Sequence, residues 1–120
     1  MAKILVAEDD PALAAFLAQA LTKQGHAVTK VDDGMGALAA LAADRFDLLL
    51  ADIVIPEPDG VALALKASRD YPAMKIMLMT GYDAERQRAH NLDALVDGVV
   101  MKPFNLDEIC GAVSTLLKKN

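Results

Sequence analysis

The sequence contains no tryptophan, a single cysteine and no excess of positive charge, and each shortage removes a class of function. Cys110 has no cysteine partner, so no internal disulfide can form and a reducing cytoplasm is the expected compartment. Acidic residues outnumber basic ones by 17 to 12. Without a basic stripe to neutralise phosphates, neither nucleic acid nor an anionic membrane is expected as a direct partner. No apolar run approaches the roughly 20 residues that span a bilayer. The run from Met1 to Val6 is too short for a signal peptide and is cut off by acidic residues. Repeats, low-complexity tracts and linkers are also missing, and 120 residues suit one domain spanning 1–120. Only five residues are aromatic, yet 54% are apolar. Much of that share is alanine, which fits helices packed closely through small side chains.

Two kinds of segment alternate along the chain. Short apolar runs at 3–7, 26–31, 48–51, 75–80 and 98–101 are bounded by charges or turn residues and read as buried strands. Between them lie segments of helical period. Leu13, Phe16, Leu17, Ala20 and Leu21 form one stripe, and Leu106, Ile109, Cys110, Val113, Leu116 and Leu117 form another. Asp10 before Pro11 suits a helix start, because Asp caps free N–H groups and Pro tolerates the first helical position. Gly25 is expected to end that helix. Further helices are predicted over 34–43, 61–69 and, most weakly, 83–97. Methionines 74, 77, 79 and 101 are expected as core filling or strand ends. His26 and His90 read as surface residues, and Cys110 as core. A strand–helix unit repeated five times implies an α/β fold, with a parallel sheet covered on both faces by right-handed crossovers. Function in such folds sits at the carboxyl ends of the strands.

Those ends carry the reactive residue types. The first strand runs into Glu8-Asp9-Asp10, the third into Asp52, the fourth into Thr80-Gly81 and the fifth into Lys102-Pro103. A lone acidic residue after a strand is ordinarily a solvated group or a helix cap. Several carboxylates converging on one point repel one another, and a hard divalent cation resolves the conflict. Mg²⁺ takes oxygen ligands, typically one or two carboxylates with waters and a phosphate. Lys102 adds a mobile positive charge, Thr80 a hydroxyl donor, and Gly81 leaves room for a bulky phosphoryl group. Such a set can clamp a transferring phosphoryl group, with Asp52 as its nucleophile.

The combination of Glu8-Asp9, Asp52-Ile-Val-Ile-Pro56-Glu-Pro-Asp59-Gly60, Thr80-Gly81 and Lys102-Pro103-Phe104 resembles the receiver domains of bacterial two-component response regulators, over the whole chain. The resemblance implies a flavodoxin-like, doubly wound (βα)5 fold with five parallel strands in the order 2-1-3-4-5. It implies that Asp52 accepts the phosphoryl group from a histidine kinase or histidine phosphotransferase, and that the chain is a signalling domain rather than an enzyme with a separate substrate. It assigns Mg²⁺ to Asp9 and Asp52 directly, to Glu8 through water and to the backbone carbonyl of Val54. It gives Pro56, Gly60, Gly81 and Pro103 structural roles, and it leads us to expect a cis Lys102-Pro103 bond. Asp10 is then read as a helix cap rather than a ligand.

One departure stands out. Many receivers carry Tyr or Phe three residues before the strand-5 lysine, where this chain has Val99. Tyr82 is a candidate replacement in the switch, against the plainer reading of a half-exposed loop aromatic. Two other classes fit poorly. Haloacid-dehalogenase-type phosphatases need an acid where Val54 stands, and a flavin module would have its phosphate repelled by Glu8-Asp9-Asp10. Ala7-Glu-Asp-Asp10, the strand Leu48-Leu-Leu-Ala-Asp-Ile-Val54, Lys75-Ile-Met77 and Thr80-Gly-Tyr82 resemble a single-domain branch of the family. That resemblance implies adaptor work for a Clp-type AAA+ protease while unphosphorylated. A start at Met1 and an end directly after the last helix agree with a stand-alone protein. The alternative is an N-terminal receiver cut from a larger DNA-binding transcriptional regulator.

Overall fold

The computed structural model describes residues 1–81 and 96–118. In chain order its elements are β1 (Lys3–Ala7), α1 (Pro11–Lys23), β2 (Ala27–Val31), α2 (Gly34–Ala43), β3 (Leu48–Asp52), α3 (Gly60–Asp70), β4 (Lys75–Thr80), β5 (Gly98–Met101) and α4 (Leu106–Lys118). All strands pair in parallel, in the order β2-β1-β3-β4-β5. The strand order expected from the family resemblance is therefore the one observed.

Alternation along the three central strands divides the core into two layers. Leu5, Ala7, Leu49, Ala51, Ile76 and Leu78 face α2 and α3, where they meet Ala37, Leu41, Leu63, Ala64 and Ala67. Ile4, Val6, Leu48, Leu50, Met77 and Met79 face α1 and α4, where they meet Leu17, Leu21, Ile109, Val113 and Leu116. Strands buried on both faces carry apolar residues at every position, which is why these three stand out as continuous runs. Alanines on α2 and α3 let the helices lie close to the sheet.

Helix starts follow a common device. Asp10, Asp33 and Asp59 cap α1, α2 and α3, each side chain accepting from backbone N–H groups of the first turn. Asp10 Oδ1 accepts from Ala12 at 3.0 Å and from Leu13 at 3.4 Å, in keeping with its expected role as a cap. Gly25, just beyond α1, has φ +94°, a conformation in which a side chain would be strained.

Several expectations need correction. The edge strands are not buried: Ala27, Thr29 and Lys30 of β2 and Val99 and Met101 of β5 are exposed. An edge strand has one neighbour, and its helices cover it incompletely. Met101 is the exposed end of β5 and Met74, Met77 and Met79 are core, as core filling or strand ends were expected. Phe16 is exposed, because the buried face of α1 runs through Ala14, Leu17, Ala20 and Leu21. Cys110 is half-buried rather than deep in the core. Its thiol is pushed up by burial and by the nearby Asp107 charge. His26 is half-buried, and its Nδ1 accepts the Ala2 N–H at 3.1 Å. The strand expected to end at Ala51 includes Asp52, and the helix expected over 61–69 starts at Gly60 and ends at Asp70. Of the segment 83–97, residues 83–95 lie outside the described residues, as do His90 and Tyr82. Val96 and Asp97 are not helical; Asp97 instead pairs its backbone and carboxylate with Ile76.

Leu50 sits at the centre of β3 with no exposure, between the neighbours Val6 and Met77. Leu50→Ala is expected to cost roughly 2–5 kcal/mol, since the surrounding strands cannot collapse into the cavity. Urea unfolding followed by circular dichroism measures this, with an unchanged slope if only the native packing is affected.

Candidate functional site

Register brings the strand ends together. Ala7 of β1 lies opposite Ala51 of β3, so Glu8 emerges beside Asp52. The ladder continues past both strands: Glu8 N–H donates to Val31 O at 3.0 Å, and Ile53 N–H to Met79 O at 3.0 Å. On the other side Thr80 pairs with Met101, and Lys102 N–H donates to Thr80 O at 2.8 Å. Lys102 therefore leaves the sheet two register positions past Asp52, from where its long side chain reaches back to it. The Lys102-Pro103 bond is cis, as expected, and so is Glu57-Pro58.

The Lys102 ammonium is shared by two carboxylates. Its Nζ lies 2.8 Å from Glu8 Oε1 and pairs with Asp52 Oδ2. The second oxygens are occupied too: Glu8 Oε2 accepts the Asp10 N–H at 3.0 Å, and Asp52 Oδ1 accepts the Val54 N–H at 2.8 Å. Glu8, Asp52 and Thr80 are all buried, whereas Asp9 and Asp10 are exposed. Burial raises the Glu8 pKa from an ordinary 4.5 to about 6; Lys102 and the Asp10 amide pull it down, and the Asp52 charge adds to the rise. Burial alone would lower Lys102, but its hydrogen bonds to Asp52 and Glu8, with their charges, hold it above its usual value. The lysine stays charged and the two acids stay tied to it.

Carboxylate oxygens of Glu8, Asp9 and Asp52 lie within 4.8 Å of one another. An all-oxygen anionic set of this kind can hold a hard divalent cation such as Mg²⁺. Asp10 is outside that group, its carboxylate engaged in capping α1. Beside the cluster opens a cleft of about 510 Å³. Asp10, Asp52 and Lys102 form its polar part, and Leu13, Val54, Pro103 and Phe104 its apolar walls. Gly81 also borders it, and a Cβ there would come no nearer than 3.8 Å to Lys102. Among the described residues no neighbour crowds that position, so a glycine there leaves space in the cleft itself.

Gly60 and Pro56 shape the loop that follows Asp52. A Cβ on Gly60 would lie 2.1 Å from the Asp52 carbonyl oxygen, so only glycine permits this approach. Pro56 O accepts the Gly34 N–H at 2.8 Å, anchoring the loop to α2. Sequence reasoning missed two parts of this arrangement. One is the Val54 amide, since attention to its carbonyl hid the N–H that holds Asp52. The other is Gly34, whose only signal was a glycine directly after a capping aspartate.

A family model for the response regulator receiver domain matches residues 4–114. The response regulator receiver protein CpdR of Brucella abortus is 42% identical over 98% of both chains. The transcriptional regulatory protein TcrA of Mycobacterium tuberculosis is 35% identical over 98% of this chain, which spans only 46% of TcrA. Other curated relatives are likewise about twice as long as the matched region. Among solved structures, the response regulator TrrA of Thermotoga maritima in complex with Mg²⁺ and BeF has a TM-score of 0.86 and 29% identity, covering 97% of this chain and 99% of TrrA.

The raised Glu8 pKa makes stability depend on pH in metal-free protein. Folded Glu8 keeps its proton to about pH 6, whereas the unfolded chain releases it near 4.5. Stability from this group is therefore present below about pH 4.5 and is lost as pH rises through about 6. Glu8→Gln abolishes the dependence. With a chelator present, its stability relative to wild type is expected to rise by about 2 kcal/mol from the acid to the neutral side of that window. Parallel urea titrations across the range check this; a flat difference contradicts it.

Proposed function

The chain belongs to the response regulator receiver family, and from that premise we propose that Asp52 accepts a phosphoryl group from a phosphohistidine donor in a Mg²⁺-dependent transfer. The observation that carries this reading is the buried Asp52 carboxylate, held by Lys102 on one oxygen and by the Val54 N–H on the other, at the floor of an open cleft. A carboxylate fixed at both oxygens presents its lone pairs in one orientation, which lowers the entropic part of the barrier. One Asp52 oxygen attacks phosphorus, the P–N bond to the donor histidine breaks, and the imidazole leaves with the electron pair and takes up a proton. Lys102 can follow the charge from the carboxylate to the transferred oxygens, because its long chain moves and its proton stays bound. Thr80, buried at the end of β4, offers a hydroxyl donor, and Gly81 leaves the space. Asp9, Asp52 and the Val54 carbonyl, with Glu8 through water, would hold Mg²⁺, which would supply positive charge to offset the carboxylates and the phosphoryl oxygens. The donor is a histidine kinase or a histidine phosphotransferase, and the domain catalyses gain and loss of its own phosphoryl group.

The output in this reading is a protein partner engaged according to the state of Asp52. The 42% identity to CpdR over nearly all of both chains supports a stand-alone receiver, and in this reading its partner is a Clp-type protease. The second reading, an N-terminal receiver of a DNA-binding regulator, is favoured by the partial coverage of TcrA. Binding of a purified Clp-type protease by Asp52→Ala, weakened in phosphorylated wild type, supports the first; no binding in either state favours the second.

Two experiments test the site. Incubation with acetyl phosphate and Mg²⁺ is expected to add one phosphoryl group by intact-mass spectrometry, absent in Asp52→Asn and absent with chelator. Undiminished labelling of Asp52→Asn overturns the reading. In the second, Asp9→Asn is expected to weaken Mg²⁺ binding by about tenfold or more, ~1.4 kcal/mol, because it removes a carboxylate from the cluster. Asp10→Asn retains the helix cap and should change affinity little; a larger effect at Asp10 means the ligand set is displaced by one residue.

A further inference from the structure

The amino end of α2 is fastened to the loop that carries the phosphoryl acceptor. Gly34 N–H donates to Pro56 O at 2.8 Å and Met35 N–H to Glu57 O at 3.1 Å, so two N–H groups of the first turn are satisfied by another element. The contact is as close as backbones allow. A Cβ on Gly34 would lie 2.0 Å from Pro58 O and 2.5 Å from Pro58 N. On its other side the loop is pinned by Gly60, whose missing Cβ would collide with Asp52 O and with Ile53 Cα at 2.6 Å. Residues 53–59 are thus held at both ends by a glycine packed against backbone, and that stretch presents the Val54 N–H to Asp52 Oδ1.

We infer that Gly34 is a positioning residue for phosphoryl acceptance, acting through Pro58 and Val54 on the orientation of the Asp52 carboxylate. This rests on the reading of Asp52 given above. Real Cβ atoms essentially never approach within 3.0 Å, and Gly34→Ala would start at 2.0 Å. The atoms met are backbone, so the loop or the helix must shift by about 1 Å. A displacement of that size at a reacting group costs up to about 100-fold in rate. Gly34 is buried and touches neither the cleft nor the carboxylate cluster, so its effect has to travel through the loop.

The test compares four variants for the rate of acetyl-phosphate labelling with saturating Mg²⁺, and for amide spectra of the metal-free protein. Gly34→Ala is expected to slow labelling on the order of 10- to 100-fold and to move the Asp52 and Val54 amide resonances. A Leu116 variant in the opposite core layer, Val or Ala chosen to match its melting temperature, should label at the wild-type rate and leave those resonances in place. Asp33→Ala removes the 2.6 Å bond to the Gly36 N–H and loosens the same helix end more gently. It should slow labelling severalfold, while Asp33→Asn, which keeps a cap without the charge, restores it. Asp33→Ala serves alone if Gly34→Ala does not fold. Equal losses in Gly34→Ala and the matched Leu116 variant overturn the inference, as does an Asp33→Asn loss equal to that of Asp33→Ala. Failure of wild type to label, with the amide shifts still present, refutes the reading of Asp52 and leaves the mechanical link standing.

Discussion

A single ammonium group makes the site possible. Glu8 and Asp52 are buried side by side at the end of the sheet, where two uncompensated carboxylates would repel and resist ionisation. Lys102, delivered by β5 from the far side of β4, pairs with both. The cost of burying the three charges is offset only because each has partners: the Asp10 and Val54 amides take up the remaining carboxylate oxygens. The meeting of the carboxyl ends of β1, β3 and β5 is therefore also an electrostatic arrangement.

This arrangement is poised rather than saturated. Asp9, the third carboxylate, is exposed and gives the cluster an open, anionic side facing solvent. The apolar walls of the adjoining cleft leave Asp52 reachable while narrowing the approach. A lysine already shared between two acids can redistribute its hydrogen bonds when the charge on one of them changes, without moving the backbone that carries it. That property suits a site meant to alternate between two states of charge.

The β3–α3 loop ties the Asp52 carboxylate to the amino end of α2. It begins at the Val54 amide that holds Asp52, and it is wedged against α2 through contacts with no space for a methyl group. Tight packing transmits displacement because it cannot absorb it. Met35, exposed beside this contact, shows how close the loop lies to the molecular surface.

Much of the fold was legible in the chain itself. Strands β1, β3 and β4 appear as unbroken apolar runs because both faces of a central parallel strand are covered, and Asp10 before Pro11 marks the start of α1. The types of residue at the strand ends pointed to Asp52 and Lys102 for a related reason: charge directly after a buried strand has nowhere to lie but the sheet edge. Burial of β2 and β5 could not be read, since an edge position depends on strand order and not on composition. Nor could sequence separate the neighbours Glu8 and Asp9, of which one is buried against Lys102 and the other exposed. The Val54 amide on Asp52 and the contact of Gly34 with Pro58 were equally hidden. Each joins groups whose distance is set by how separate elements pack, and local pattern records what a residue prefers, whereas only the folded chain decides what it meets.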